Sequence, residues 1–300
     1  MSSPIKWFGG KSGLAGRIVA HLPLHSTYVE VFGGSAAVLL AKPPSAVEVY
    51  NDCDGDLVNF WSTLRDSPED LERRLALTPY SRAEWQAATE PTTDPVERAR
   101  RWFVRNRQSH NATSDSGWGY SVTESDRNMA ANVSRWWSAV GRLGPTAARL
   151  HGVQIECGDW RQIIDAYDTQ ETVFYCDPPY HPSTRHRGGY AHELTAQDHE
   201  DLVQRLLSIR GTALLSGYAH PVYEPLEAAG WARVDWPVSA SSVRRHGHAE
   251  RVESLWVHPR AARVRQRSIF ECAAPGFARI GGVLWPVAVG AALIVLTLAH

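Results

Sequence analysis

Lysine is nearly missing from this chain. Of 31 basic residues only Lys6, Lys11 and Lys42 are lysines, and the other 28 are arginines. A GC-rich coding bias and a need for bidentate phosphate-binding forks would each leave that imbalance. Net charge is missing too: 31 Lys+Arg stand against 32 Asp+Glu, a formal charge of -1. With 43% hydrophobic residues over 300 positions, this excludes a disordered polyelectrolyte and supplies apolar side chain for a sizeable core, in one large domain or one domain with an insert. Cysteine is scarce, and Cys53, Cys157, Cys176 and Cys272 form no CxxC pair and no cluster with histidine. Neither a metal site nor a disulfide framework is expected. The start MSSPIKWFGGK has no apolar stretch, so no secretory signal is read there and a cytoplasmic protein is expected.

Long hydrophobic runs are absent until the very end. Residues 280–299, IGGVLWPVAVGAALIVLTLA, carry no charge and follow the basic stretch RAARVRQR at 260–267. Twenty residues at helical rise span roughly 30 Å, a bilayer core, and the basic flank would hold the body on the cytoplasmic side. Two readings stand: a span that tethers the protein to a membrane, or a tail outside the functional domain.

Strand-like β-branched and aromatic runs occur at 27–32, 47–50, 172–176, 212–216, 232–238 and 251–257, and helical patterns at 11–22, 35–41, 160–166 and 195–209. This alternation predicts an α/β fold, a doubly wound and mostly parallel sheet. From about Gly55 to Arg149 the patterns are helical or irregular, so residues 1–54 and 150–259 are expected to form the sheet domain and 55–149 an insert, with 260–300 an extension. Charge is segregated along the insert. Residues 50–97 hold eleven acidic residues and four arginines, whereas 98–149 hold nine arginines and three acidic residues. In the basic half, Arg98, Arg101 and Arg105 share one helical face near Trp102, Arg107 follows, and the Gly/Ser-rich SDSGWGYS carries Trp118 and Tyr120. Arginines contact phosphates and base edges, and aromatic rings stack on unpaired bases; a solvated helix face has the same composition. Trp136 and Trp137 are read as packing residues.

Four segments carry the chemistry. Lys6 to Ser12 contains Gly-Lys-Ser, but position 5 is Ile5 where a phosphate loop needs glycine. Val29 to Ala37, VEVFGGSAA, reads as a strand ending in a Gly-Gly turn before a small-residue helix, where a ligand can approach the backbone. Asp52 follows the next strand and stands where an acid bonds a ribose in doubly wound folds. The absence of G-x-G-x-x-G favours S-adenosylmethionine over NAD. Finally, Asp177-Pro178-Pro179-Tyr180 follows the apolar TVFYC. Two prolines cannot continue a sheet ladder, so they place a carboxylate, a carbonyl and an aromatic ring beyond the sheet's carboxyl edge, a set that suits an exocyclic amine of a base.

WFGGK (7–11), EVFGGSAAVLL (30–40), YNDCDGDLVNFW (50–61), CGDW (157–160), FYCDPPY (174–180), LLSGY (214–218) and RVESLWVHP (251–259) together resemble the ordered motifs of the Dam-type adenine-specific DNA methyltransferases. The resemblance covers residues 4–259. It implies a methyltransferase-type sheet with a target-recognition insert, S-adenosylmethionine as cofactor, double-stranded DNA as substrate and no metal. It assigns cofactor contacts to Trp7, Lys11, Glu30, Phe32, Gly33, Asp52 and Asp159, and the target adenine to Asp177, Pro178 and Tyr180. The Arg-rich segment with Arg98, Arg101, Arg105, Arg107 and Trp118 falls where that family reads DNA. Ala36 stands where the family often has glycine, adding a Cβ near the expected ligand. A monomer is expected; the resemblance brings restriction–modification into view and leaves open whether a cognate restriction nuclease exists. Cytosine N4 methylation, whose motif more often begins with serine, and a DNA-binding relative without turnover remain the alternatives.

Overall fold

The computed structural model describes residues 1–110, 116–184, 192–238 and 251–261, and the backbone of Gly276–Ile280 and Val283–Val287. Seven strands form one sheet: β1 (Thr27–Glu30), β2 (Val47–Asn51), β3 (Val153–Glu156), β4 (Thr172–Cys176), β5 (Thr212–Gly217), β6 (Ala232–Val238) and β7 (Arg251–Val257). Their spatial order is β3-β2-β1-β4-β5-β7-β6. The first five run parallel, while β7 is antiparallel to both β5 and β6. This is the doubly wound, mostly parallel sheet that the alternation of strand and helix patterns predicts.

Every residue of β4 and β5 is buried, as central strands covered on both faces require. Side chains alternate between the faces. Val29, Val49, Phe174 and Leu215 pack on one side with Trp160 and Ile163 of α9 (Trp160–Tyr167) and Leu202 and Leu206 of α10 (Ala196–Ser208). Tyr28, Tyr50, Tyr175 and Leu214 pack on the other, against Ile18 of α1 (Ala15–Val19), Leu39 of α2 (Ala37–Ala41) and Phe60 and Trp61 of α3 (Gly55–Asp66).

Between β2 and β3 the chain is helical: α3 is followed by α4 (Pro68–Ala76), α5 (Arg82–Ala87), α6 (Pro95–Gln108), α7 (Ala131–Val140) and α8 (Leu143–Leu150), with a short hairpin of Ser125–Asp126 and Met129–Ala130 before α7. The two longest helices of this segment have local start signals. Asp54 accepts the N–H groups of Asp56 and Leu57 at the head of α3, and Asp94 that of Val96 before Pro95 of α6. An aromatic seam joins these two helices. Phe60 stacks on Phe103 at 5.4 Å, and Trp61, Trp102 and Trp136 close around the pair.

Several expectations are corrected. β3 was not expected, because VQIE is a four-residue edge strand with only its first residue buried. The helix expected over 11–22 shrinks to α1, leaving Lys11 in a turn. Trp136 is core, but Trp137 is exposed. Ile280 and Val283–Val287 lie in an antiparallel hairpin, not a helix; the rest of the run 281–299 falls outside the described residues. Among the described residues no helix is long and apolar enough to cross a membrane.

The sheet is tied to the helical segment by a buried ionic triad. Lys42 Nζ lies 2.6 Å from Glu48 Oε1 of β2, and Arg149 Nη2 of α8 donates to the same oxygen at 2.8 Å. Removing one member leaves the others charged and dehydrated, so Glu48→Ala should lower unfolding free energy by about 3–5 kcal/mol. Urea denaturation followed by circular dichroism measures this; a change under about 1 kcal/mol would show the triad to be solvated.

Candidate functional site

The chain leaves β1 toward β2 and β3 on one side, and leaves β4 toward β5 on the other. The carboxyl ends of β1 and β4 therefore flank the crevice where the winding reverses, the place where such sheets bind ligands. Register makes them neighbours: Glu30 is opposite Tyr175, and the Val31 N–H donates to the Tyr175 carbonyl at 3.0 Å. Phe32 and Gly33 thus emerge beside Asp177. The crevice opens into a cleft of about 970 Å³ whose walls include Trp7, Phe32, Asp52, Asp159, Trp160, Asp177 and Pro179 on the sheet side and Arg98, Arg101, Trp102 and Arg105 on the α6 side. A smaller cavity behind it is lined by Lys11, Glu30, Gly33, Ser35 and Asp177. Asp177 borders both.

Lys11 organises the junction. Its ammonium is buried, lies 2.8 Å from Asp177 Oδ1 and 3.5 Å from Glu253 Oε1, and donates to the Gly9 carbonyl at 2.9 Å. Burial works against that charge, but Asp177 and Glu253 together raise the lysine's pKa above its ordinary value. Burial also pushes the Asp177 carboxyl up to about 6, with Lys11 pulling it down and Glu253 pushing it further up. Asp177 is thus mostly ionised at neutral pH yet only moderately stabilised in that form, which suits a hydrogen-bond acceptor.

Tyr180 differs from expectation. Its ring is buried, packs edge-on against Tyr218 at 4.5 Å and lies 4.8 Å under Lys11 Nζ, while its hydroxyl donates to Glu253. In this conformation the ring does not present an open stacking face. Pro178 is buried and Pro179 half-buried on the cleft wall.

The glycine turn serves the protein's own packing. A Cβ at Gly33 would lie 2.1 Å from the Tyr50 ring, and one at Gly34, which has φ +46°, would lie 2.4 Å from Trp7 Nε1. These glycines admit Tyr50 and Trp7, and they also line the cavities. Ala36 adopts the left-handed conformation, φ 53°, at a cost of about 1–2 kcal/mol. Its methyl is buried in the core, between Ser35 and Ala37, which line the inner cavity.

Asp52 closes the turn, accepting the Gly34 N–H at 2.8 Å and the Asp54 N–H at 2.9 Å; burial raises its pKa. A carboxylate has about four acceptor positions, so Asp52 retains capacity toward the cleft. Asp159 is the N-cap of α9 and is half exposed at the rim. Phe32 packs on Trp160 with ring centroids 6.2 Å apart. Trp160, buried at the start of α9, is a cleft wall that the sequence does not single out, since its i+3/i+4 neighbours Ile163 and Ile164 give it the pattern of a core residue.

Arg98, Arg101 and Arg105 do reach the cleft on one face of α6, but each already has a protein partner. Arg98 Nε donates to Asp56 at 2.6 Å, Arg101 Nε to Glu97 at 2.7 Å, and Arg105 lies 3.9 Å over the Trp85 ring. Trp118 is half-buried, stacked on Tyr120 with Arg82 over its ring at 4.7 Å. A second cationic group was not foreseen. Lys6, bonded to the Ser109 carbonyl at 2.9 Å, is lowered to about 8 by burial and then by Arg107 and Arg135. Arg107 is lowered to about 10 by burial and then by Arg142. Among the described residues only Arg135 of this group pairs with a carboxylate, Glu124 at 3.6 Å. Asn106, which exchanges hydrogen bonds with the Lys6 backbone at 2.8 and 2.7 Å, links the group to the cleft wall.

Comparison with known proteins points the same way. A model for D12 class N6 adenine-specific DNA methyltransferases matches residues 7–222. The DNA N-6-adenine-methyltransferase of Escherichia phage P1 is 26% identical over 220 residues, covering 68% of this chain and 28% of that protein. The DNA adenine methylase of Salmonella typhi is 26% identical over 227 residues, covering 71% and 80%. That of Escherichia coli (strain K12) is 24% identical over 185 residues, covering 59% and 64%. This chain therefore spans just over a quarter of the phage relative's length.

Glu30 makes the site's protonation testable. Its carboxyl accepts the Tyr28 hydroxyl at 2.9 Å and the Leu39 N–H at 2.8 Å, and burial pushes its pKa up to about 8. The folded state thus binds a proton that the unfolded state releases near pH 4.5, so folding stability is lost as pH rises from there through about 8. Glu30→Gln should flatten that slope and raise Tm above wild type at the alkaline end. Thermal melts across the window check this, and an unchanged slope would place the titration elsewhere.

Proposed function

The chain belongs to the D12 class of N6 adenine-specific DNA methyltransferases, and we propose that it transfers a methyl group from S-adenosylmethionine to the N6 amino group of adenine in double-stranded DNA. The observation that carries this reading is Asp177, set by β4 at the junction of cleft and inner cavity with Lys11 at 2.8 Å. The donor set suits the cofactor: Asp52 offers acceptors for ribose hydroxyls, Asp159 an exposed acceptor for an adenine amine, Phe32 and Trp160 aromatic walls, and Glu30 a carboxyl in the inner cavity. When bound, the cofactor supplies an electrophilic methyl group on a sulfonium. Trp7 and Gly33 shape the wall near it, and Lys11 acts through Asp177.

The acceptor base has to leave the duplex, because its amine is inaccessible to in-line attack while stacked. Asp177 then accepts one N–H of that amine and the Pro178 carbonyl the other, which keeps the nitrogen lone pair out of the ring. Tyr180 borders the base. Its buried ring requires either a shift of Tyr218 or edge contact in place of stacking. No metal group is found among the described residues, and the roles assigned here need none.

DNA binding is supported by Lys6, Arg107 and Arg142, partly dehydrated cations beside the exposed Arg135, and a phosphate would relieve the repulsion among them. Arg98, Arg101, Arg105 and Trp118 would engage DNA by exchanging their present partners. The helical segment between β2 and β3 is in this reading the DNA-reading unit.

Tritium transfer to plasmid from a methylation-free host, followed by digestion to nucleosides and mass analysis, tests the function. N6-methyl-2′-deoxyadenosine is expected, and N4-methyl-2′-deoxycytidine alone would refute it. Asp177→Ala should abolish transfer while cofactor binding by calorimetry persists; near-normal turnover would remove Asp177 from the mechanism. Arg107→Ala should weaken DNA binding regardless of sequence and reduce the salt slope by about one, and an unaltered slope would mean that Arg107 touches no phosphate.

A further inference from the structure

Glu253 is 5% exposed on β7, just before Ser254, which pairs with Gly217 of β5. It comes from a strand far along the chain from Lys11 and from Asp177, yet its Oε1 faces both the Tyr180 hydroxyl and the Lys11 ammonium. An ammonium has three donors, and those of Lys11 face the Gly9 carbonyl, Asp177 and Glu253. One cation thus serves two carboxylates, Glu253 buried and Asp177 partly open to the cleft.

We infer that Glu253 is a positioning residue of the methyl-transfer site: it holds the Tyr180 hydroxyl and draws part of the Lys11 ammonium away from Asp177. The inference rests on Asp177 being the amine acceptor. If Lys11 faced Asp177 alone, its whole charge would be spent on the carboxylate that must accept the substrate's N–H groups, whereas here Glu253 at 3.5 Å shares that charge. With Glu253 opposite, the shared lysine neutralises the pocket enough for Asp177 to ionise and leaves it its acceptor strength. The same oxygen gives the buried tyrosine hydroxyl its partner, which fixes the ring plane beside the base site. A fold role alone would need only a neutral acceptor there, so charge is the feature to test.

Glu253→Gln keeps an oxygen acceptor for Tyr180 and removes the charge. The negative neighbour raises the Asp177 pKa, so its loss should let Asp177 ionise more easily and move the acid limb of the kcat/KM profile to lower pH. Turnover on the alkaline side of that limb should fall on the order of tenfold to a hundredfold, as expected for a misplaced catalytic group, with the KM for S-adenosylmethionine unchanged. Tyr180→Phe should lose turnover with the acid limb in place, and the double variant should lose less than the sum of the two. Full-length protein is assayed by tritium transfer to plasmid DNA, with circular dichroism as the check on folding. An acid limb and turnover like wild type in Glu253→Gln would overturn the inference alone. Wild-type protein that transfers no methyl group to adenine would overturn the functional reading and this inference with it.

Discussion

A single ammonium, buried between two carboxylates, is the constraint on which the site depends. Lys11 comes from a turn ahead of α1, Asp177 from the end of β4 and Glu253 from β7. Charges this dehydrated are tolerated only when paired and hydrogen-bonded. The ammonium is therefore also a tie among three segments that are remote in sequence, and the Asp-Pro-Pro-Tyr turn sits on that tie. The prolines stiffen the turn and the ion pair orients it.

The sheet supplies the place. Since β1 and β4 lie side by side and their continuations diverge, the backbone cannot fill the crevice beyond their ends. Gly33 and Gly34 leave room for Tyr50 in the core and for Trp7 at the crevice wall, and Asp52 is held against that wall by two backbone N–H groups. The helices of residues 55–150 roof the crevice with α6, held to α3 by the Phe60–Phe103 stack.

Charge shows how far a sequence count can be carried. The acidic stretch 50–97 and the basic stretch 98–149 are separate along the chain but meet in space. Arg98 pairs with Asp56, Arg100 with Glu84 and Arg101 with Glu97. The arginines that looked most available on a helical wheel are those with partners, whereas Lys6, Arg107 and Arg142, drawn from three segments, form the cationic group short of counter-ions. No periodicity could have shown this, because it depends on which oppositely charged side chains the folded helices bring within reach.

Strand positions, the order of the motifs and the position of the Asp-Pro-Pro-Tyr turn were legible in the sequence, because burial on both faces writes runs such as TVFYC and because two prolines after a strand admit few conformations. The edge strand VQIE was not, being short and half solvated, and neither was the reason for the glycine turn, which lies in the rings of Tyr50 and Trp7. Local pattern by itself determined the winding of the fold and the place of the Asp-Pro-Pro-Tyr turn at the end of β4. Only the tertiary structure decided that Glu253 shares the lysine, that Tyr180 is bound through its hydroxyl, and which arginines are already neutralised. Pairing between charges is set by distance in space and by dehydration, and neither is a property of residues taken along the chain.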